Sequence, residues 1–238
     1  MSLLRLENLS IGYKNKTVVE NINLSFSKGE MLPIIGSNGV GKSTLLKTII
    51  RQQEKISGDI LFKNEKIQSY DQQDLSKLIS ITYPDHGLLH HYNVEEMVML
   101  GRYPYSGHFG ELDDKSKGKV KEALDLFGLD KISKNLFSKI SSGQQQKAII
   151  AKAFVQETEI MLLDEPTNYL DIKNRYEVLS LLSRLVKEHG RLILFSSHDI
   201  ELCRRFCSEF IIFQMNGEVE KIKSDQFSFE KTFGPESF

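Results

Sequence analysis

Cysteine is scarce in this chain, with two among 238 residues. Cys203 and Cys207 stand four apart in ELCRRFCSEF, the spacing of one helix face, and two thiols supply neither a disulfide framework nor a full metal-ligand set. A structural role is expected for both. Long apolar runs are missing too. The longest, such as Ile160–Leu163 and Leu192–Phe195, fall far short of the twenty or so residues that span a bilayer. The opening MSLLRLENLS lacks the charged start and extended apolar stretch of a secretory signal. The expectation is a cytoplasmic protein that works at a membrane only through another chain that crosses it. No basic block occurs: 31 basic and 32 acidic residues give a formal net charge of -1, so a nucleic-acid partner has no electrostatic support. Internal repeats and low-complexity linkers are absent as well.

What is present has the balance of a globular chain, 40% hydrophobic and 26% charged. The length suits one large domain, or one domain carrying an insertion. LLRLENLSIGY and TVVENINLSF alternate roughly around KNK, as antiparallel strands do. MLPII, EIMLLDE, RLILFSS and EFIIFQM read as buried strands, as does KLISIT. LLKTIIRQQ is helical. So is a stretch from about Lys173 to Glu188 that turns Val178, Leu181, Leu182 and Leu185 inward and can close at Gly190. Strands alternating with helices imply an α/β fold with a mostly parallel sheet. From about Tyr83 to Ile140 the pattern is helical and looks like an insertion. There VEEMVML is expected to stop at Gly101, with Pro104 in the exit turn, and VKEALDLFGL sets Val120, Leu124 and Phe127 on one face.

Between MLPII and LLKTII lies GSNGVGKST, which fits the pattern G-x-x-x-x-G-K-[ST] after a strand and before a helix. Glycines let the backbone fold around phosphate so that several N–H groups converge on it. Gly36, Ser37, Asn38, Gly39, Val40, Gly41, Lys42, Ser43 and Thr44 are therefore candidate nucleotide-binding residues. Lys42 is placed to reach the β- and γ-phosphates and Ser43 to ligate Mg²⁺. EIMLLDEPTN brings carboxylates to the end of another buried strand. Asp164 is the candidate partner of Mg²⁺, and Glu165 the candidate to activate the attacking water. His86, His90 and His91 lack the fixed spacing of a metal site and read as part of a solvated loop. In KISSGQQQKAIIAKAF, Ser141 and Gln144 have the spacing of a capping box, and Ala148, Ile149, Ala153 and Phe154 follow as an apolar stripe. That is a helix N-terminus suited to an anion, with no catalytic group of its own.

Taken together, these motifs resemble those of the ATP-binding subunits of ABC transporters, over nearly the whole chain. Ile140-Ser141-Ser142-Gly143-Gln144 is similar to the family signature, with Ser142 where most relatives have glycine. His198 in FSSHD matches the switch histidine, NYLD the loop ending at Asp171, and Tyr13 the aromatic that stacks on adenine. The resemblance implies a P-loop NTPase core with an N-terminal antiparallel β subdomain. It implies that residues 1–238 form one nucleotide-binding domain, with a helical subdomain at about 83–150. It further implies ATP and Mg²⁺, with Glu165, His198 and Lys42 catalytic, and a head-to-tail dimer. In that dimer Ser141, Ser142, Gly143 and Gln144 serve the partner's ATP and the Asp171 loop lies between subunits.

The family's glutamine after the strand ending in KLISIT has no match here. An ungapped placement puts Pro84 there, and Asp85 is the candidate metal ligand if the loop runs one residue further. VEEMVMLGRYP resembles importers of iron-siderophores, haem and cobalamin. Those importers dock on an integral-membrane permease at the inner face of the cell membrane and depend on a separate substrate-binding protein. The competing expectation is a soluble relative acting in assembly or regulation without a permease.

Overall fold

The computed structural model describes residues 2–14, 16–84, 91–106 and 112–234. Two sheets organise it. The first is antiparallel, in the order β2-β1-β4-β5, with β1 Leu4–Tyr13, β2 Lys16–Phe26, β4 Lys55–Phe62 and β5 Glu65–Lys66. Along β1 and β2 buried and exposed residues alternate imperfectly, because register shifts interrupt the pairing between Leu6 and Gly12.

The second sheet has the order β10-β9-β3-β8-β7-β6. Its strands are β3 Met31–Ile35, β6 Ile79–Thr82, β7 Ile160–Leu163, β8 Leu192–Ser196, β9 Glu209–Phe213 and β10 Val219–Lys223. All neighbours are parallel except β9 and β10. Every residue of β3, β7 and β8 is buried, as expected where a parallel sheet is covered on both faces. The period of two divides each run between two cores. Leu162 and Leu194 join the antiparallel sheet and α1 (Lys42–Ile49) on one face, and Leu163 and Phe195 join the helices on the other.

Those helices lie mostly between β6 and β7: α3 Val94–Met99, α4 Asp114–Leu126 and α5 Ser142–Val155. The remaining ones are α2 Gln72–Leu78, α6 Ile172–His189, α7 Ile200–Phe206 and α8 Phe229–Phe233. Val120, Leu124 and Phe127 are buried together as the spacing implied. On α6, Val178, Leu182 and Leu185 are buried while Leu181 is only partly so, and Gly190 closes the helix in the left-handed region at φ 63°.

α3 stops at Met99, two residues before Gly101. The chain continues through a 3-10 stretch, Leu100–Tyr105, which contains Pro104. Gly101 is instead a close approach: a Cβ there would lie 2.1 Å from the carbonyl oxygen of Lys152 on α5. Next to it Arg102 is buried, donates to Val155 O and Glu157 Oε2 at 2.8 Å each, and stacks on Tyr105. Among the described residues, no helix is long and apolar enough to cross a membrane.

Candidate active site

Because β3, β8, β7 and β6 run parallel, their carboxyl ends meet along one edge, where ligands bind in open α/β sheets. β3 delivers the glycine-rich turn. Gly41 adopts φ 115° at the start of α1, and a Cβ there would meet Val18 Cγ1 at 2.9 Å, so only glycine fits. The first-turn N–H groups of α1 then face an approaching anion. Lys42 is buried and folds back to donate to Gly36 O at 2.8 Å and Ser37 O at 2.9 Å. Burial lowers its pKa, opposed by the nearby carboxylates of Glu165 and Asp164.

β7 delivers the two acids. Ser43 Oγ donates to Asp164 Oδ1 at 3.0 Å, and Ser196 Oγ, at the end of β8, donates to the same oxygen at 2.7 Å. Ser196 is fully buried and also accepts the backbone N–H of Glu165 at 2.7 Å. That bond anchors Glu165 in a left-handed backbone conformation, φ 50°, which a side-chain-bearing residue adopts only under constraint. Glu165 Oε1 lies 3.2 Å from His198 Nε2, and Oε2 accepts from Asn168 Nδ2 at 2.6 Å. Beside them a cleft of about 80 Å³ is lined by Glu165, Asn168, Ser197 and His198 among others. A cation, a hydroxyl, two carboxylates and an imidazole thus converge where the helix N-terminus favours phosphate.

Tyr13, at the end of β1, is 54% exposed and reaches Thr44 Oγ1 with its hydroxyl at 3.4 Å, so its ring stands at the mouth of the loop. Pro84 is exposed just beyond β6. Asp85, His86 and His90 lie outside the described residues, and His91 is exposed.

The signature stretch sits apart from this group. Ser141 caps α5 in a complete capping box with Gln144, and both Ser141 and Ser142 are exposed. Among the described residues no hydrogen bond joins Ser141, Ser142, Gly143 or Gln144 to Lys42, Ser43, Asp164 or Glu165. Gly143 has a requirement within the chain: a Cβ would lie 2.3 Å from Asn174 Oδ1 on α6. Asn174 in turn bonds both oxygens of Asp171, which caps α6. Tyr169 before that cap and Ile172 just after it are exposed almost fully, at 83% and 84%.

Sequence reasoning missed Ser196, Asn168 and Asn174. The one visible trace of Ser196 is a hydroxyl closing the apolar run LILFS.

The sequence pattern of the ABC transporter family matches residues 19–168. The iron(3+)-hydroxamate import ATP-binding protein FhuC of Bacillus subtilis is 38% identical over 221 residues, 93% of this chain and 82% of that protein. The ferric enterobactin transport ATP-binding protein FepC of Escherichia coli is 36% identical over 208 residues, 87% and 77% of the two chains. Among solved structures, cbiO1 of Clostridium perfringens, part of the complex cbiONQ, superposes with a TM-score of 0.84 at 28% identity, covering 94% of this chain and 90% of that one. The ATP-binding cassette MJ0796, a dimer in a post-hydrolysis state bound to ADP and Pi, gives 0.79 at 28% identity, covering 94% and 100%.

Proposed function

This chain belongs to the ABC transporter family as one of its ATP-hydrolysing subunits, and from that premise we propose that it drives uptake of a metal chelate of the iron-siderophore, haem or cobalamin type. Its relatives at this level of identity carry names of iron-hydroxamate and ferric enterobactin import, which favours an importer over a soluble machine. The observation that carries the catalytic half is the Asp164–Ser196–Glu165 linkage, which fixes the Asp164 carboxylate and the Glu165 backbone beside Lys42. We take residues 1–238 as a single nucleotide-binding domain with a helical subdomain at about 83–150.

In this reading Tyr13 stacks on the adenine, and residues Gly36 to Thr44 cradle the phosphates with their N–H groups. Lys42 exchanges its two carbonyl partners for phosphate oxygens. The donor set around Ser43 and Asp164 fits Mg²⁺: a hydroxyl and a buried carboxylate, both hard oxygens and 3.0 Å apart. When bound, that ion neutralises charge on the phosphates. Glu165 takes the proton of the attacking water, and His198 holds Glu165 and the γ-phosphate in register. The α5 N-terminus at Ser141, Ser142 and Gly143 closes over the ATP of a second subunit, with Gln144 holding the cap. The Asp171 loop packs between the two. An integral-membrane permease at the inner face of the membrane receives the closing motion, and a substrate-binding protein delivers the cargo.

Deletion of the gene followed by labelled ferric-siderophore, haem and cobalamin uptake tests this directly. Loss of one uptake, restored by the wild-type chain and not by Lys42→Ala, is expected. Unchanged uptake of all three would remove the metal-chelate reading.

A further inference from the structure

We propose that Asn168 is the positioning residue for the Glu165 carboxylate, holding it in the orientation in which it accepts the proton of water. This rests on Glu165 acting as the base. The glutamate has three side-chain torsions, and its side chain is 25% exposed. Its backbone is anchored through Ser196, but that bond fixes the Cα and leaves the carboxylate free to turn. On one oxygen His198 sits at 3.2 Å, a single contact from a side chain that is itself 45% exposed. One contact leaves the plane of the carboxylate undetermined. The 2.6 Å bond from Asn168 Nδ2 to the other oxygen determines it, and a short bond from a neutral amide to a carboxylate is the stronger, charge-assisted kind. Each carboxylate oxygen has two lone pairs, so both contacts leave one free for water.

The placement of Asn168 is itself over-determined. Its backbone N–H donates to Glu165 O at 3.1 Å, and its Oδ1 accepts the N–H of Tyr169 at 3.0 Å. The amide group therefore has an acceptor end committed to the turn and a donor end committed to Glu165. An aspartate at 168 keeps the first and cannot make the second. That asymmetry separates a positioning role from a role in folding the loop.

The test compares Asn168→Asp and Asn168→Ala with wild type in steady-state ATP hydrolysis, alongside Glu165→Gln and thermal unfolding of each. Both Asn168 variants are expected to lower kcat roughly tenfold with KM for ATP unchanged, as misplacement of a reacting group does. Asn168→Asp keeps the turn bond but sets a second carboxylate against Glu165, so its unfolding temperature should fall by a few degrees at most. In the Glu165→Gln background neither substitution should cause a further loss, because the group they position is gone. Wild-type kcat in Asn168→Asp together with a deficit in Asn168→Ala would reduce Asn168 to a turn former. A deficit in Asn168→Asp alone would trace the effect to the introduced charge and overturn the proposal. If Glu165→Gln hydrolyses ATP as fast as wild type, the base assignment itself fails, a result separable from the others.

Discussion

Replacing Ser196 with alanine removes one hydroxyl that serves two strands' worth of chemistry. Its oxygen is fully buried, donates to Asp164 at 2.7 Å and accepts the Glu165 N–H at 2.7 Å. Without it the Glu165 N–H loses its partner in a place that water reaches poorly, and among the described residues the buried Asp164 keeps only Ser43 as a side-chain donor. Leaving a buried N–H unsatisfied costs about 1–3 kcal/mol, and a hydrogen bond to a charged group contributes about 1.5–3 kcal/mol. Because the loop can relax, a net loss of about 2–4 kcal/mol is expected. In a chain of this size that corresponds to a fall in Tm of roughly 4–16 °C. Turnover should fall by at least about tenfold, since the Asp164 carboxylate and the Glu165 backbone each lose a positional restraint. Thermal unfolding followed by circular dichroism, with ATPase rates measured well below Tm, reads both effects. Ser197→Ala is the control: the Ser197 hydroxyl accepts the Asp199 N–H at 3.1 Å and bonds the Cys203 thiol, and among the described residues it bonds neither acid. A Ser196→Ala protein with the wild-type Tm and rate would refute the idea that β8 holds the two acids.

Three further outcomes follow from the same geometry. Gly143→Ala should destabilise α6 by pushing Asn174 off Asp171, lowering Tm by a few degrees, and Asn174→Ala should relieve the clash in the double variant; additive losses would contradict this. Tyr13→Ala should weaken ATP binding roughly three- to tenfold by titration calorimetry while leaving kcat nearly unchanged, and a collapse of kcat at unaltered affinity would exclude stacking. Both cysteines are buried, and burial pushes the Cys203 thiol up to about 12 and Cys207 higher still, so at pH 8 neither should react with iodoacetamide until the protein unfolds. Rapid labelling of the folded chain would show that α7 opens.

The residues most legible in the sequence are those whose chemistry is local. MLPII and IMLL announce buried strands because every residue is apolar, and Ser141 with Gln144 forms the capping box that its spacing specifies. Gly36 to Ser43 is readable because a backbone wrapped around phosphate demands glycine. What escaped was relational. Strand order is not encoded in any one segment, so nothing local says that β8 lies between β3 and β7 and lends Ser196 to the acids that follow β7. Gly101 looked like a helix stop because glycine usually ends helices, whereas here it admits the backbone of α5. Gly143 was legible as part of a signature, but its contact with Asn174 depends on how α6 packs.

The central claim is that this chain builds half of each ATP site and a second copy supplies the other half. The direct measurement is the mass of Glu165→Gln by multi-angle light scattering, with and without saturating ATP and Mg²⁺. The 27.3 kDa chain should run as a monomer without nucleotide and at about twice that mass with it. Adding Ser141→Arg should return it to the monomer while ATP still binds through Lys42 and its loop. A monomer at saturating ATP, or loss of ATP binding in Ser141→Arg, would contradict the division of labour between the two halves.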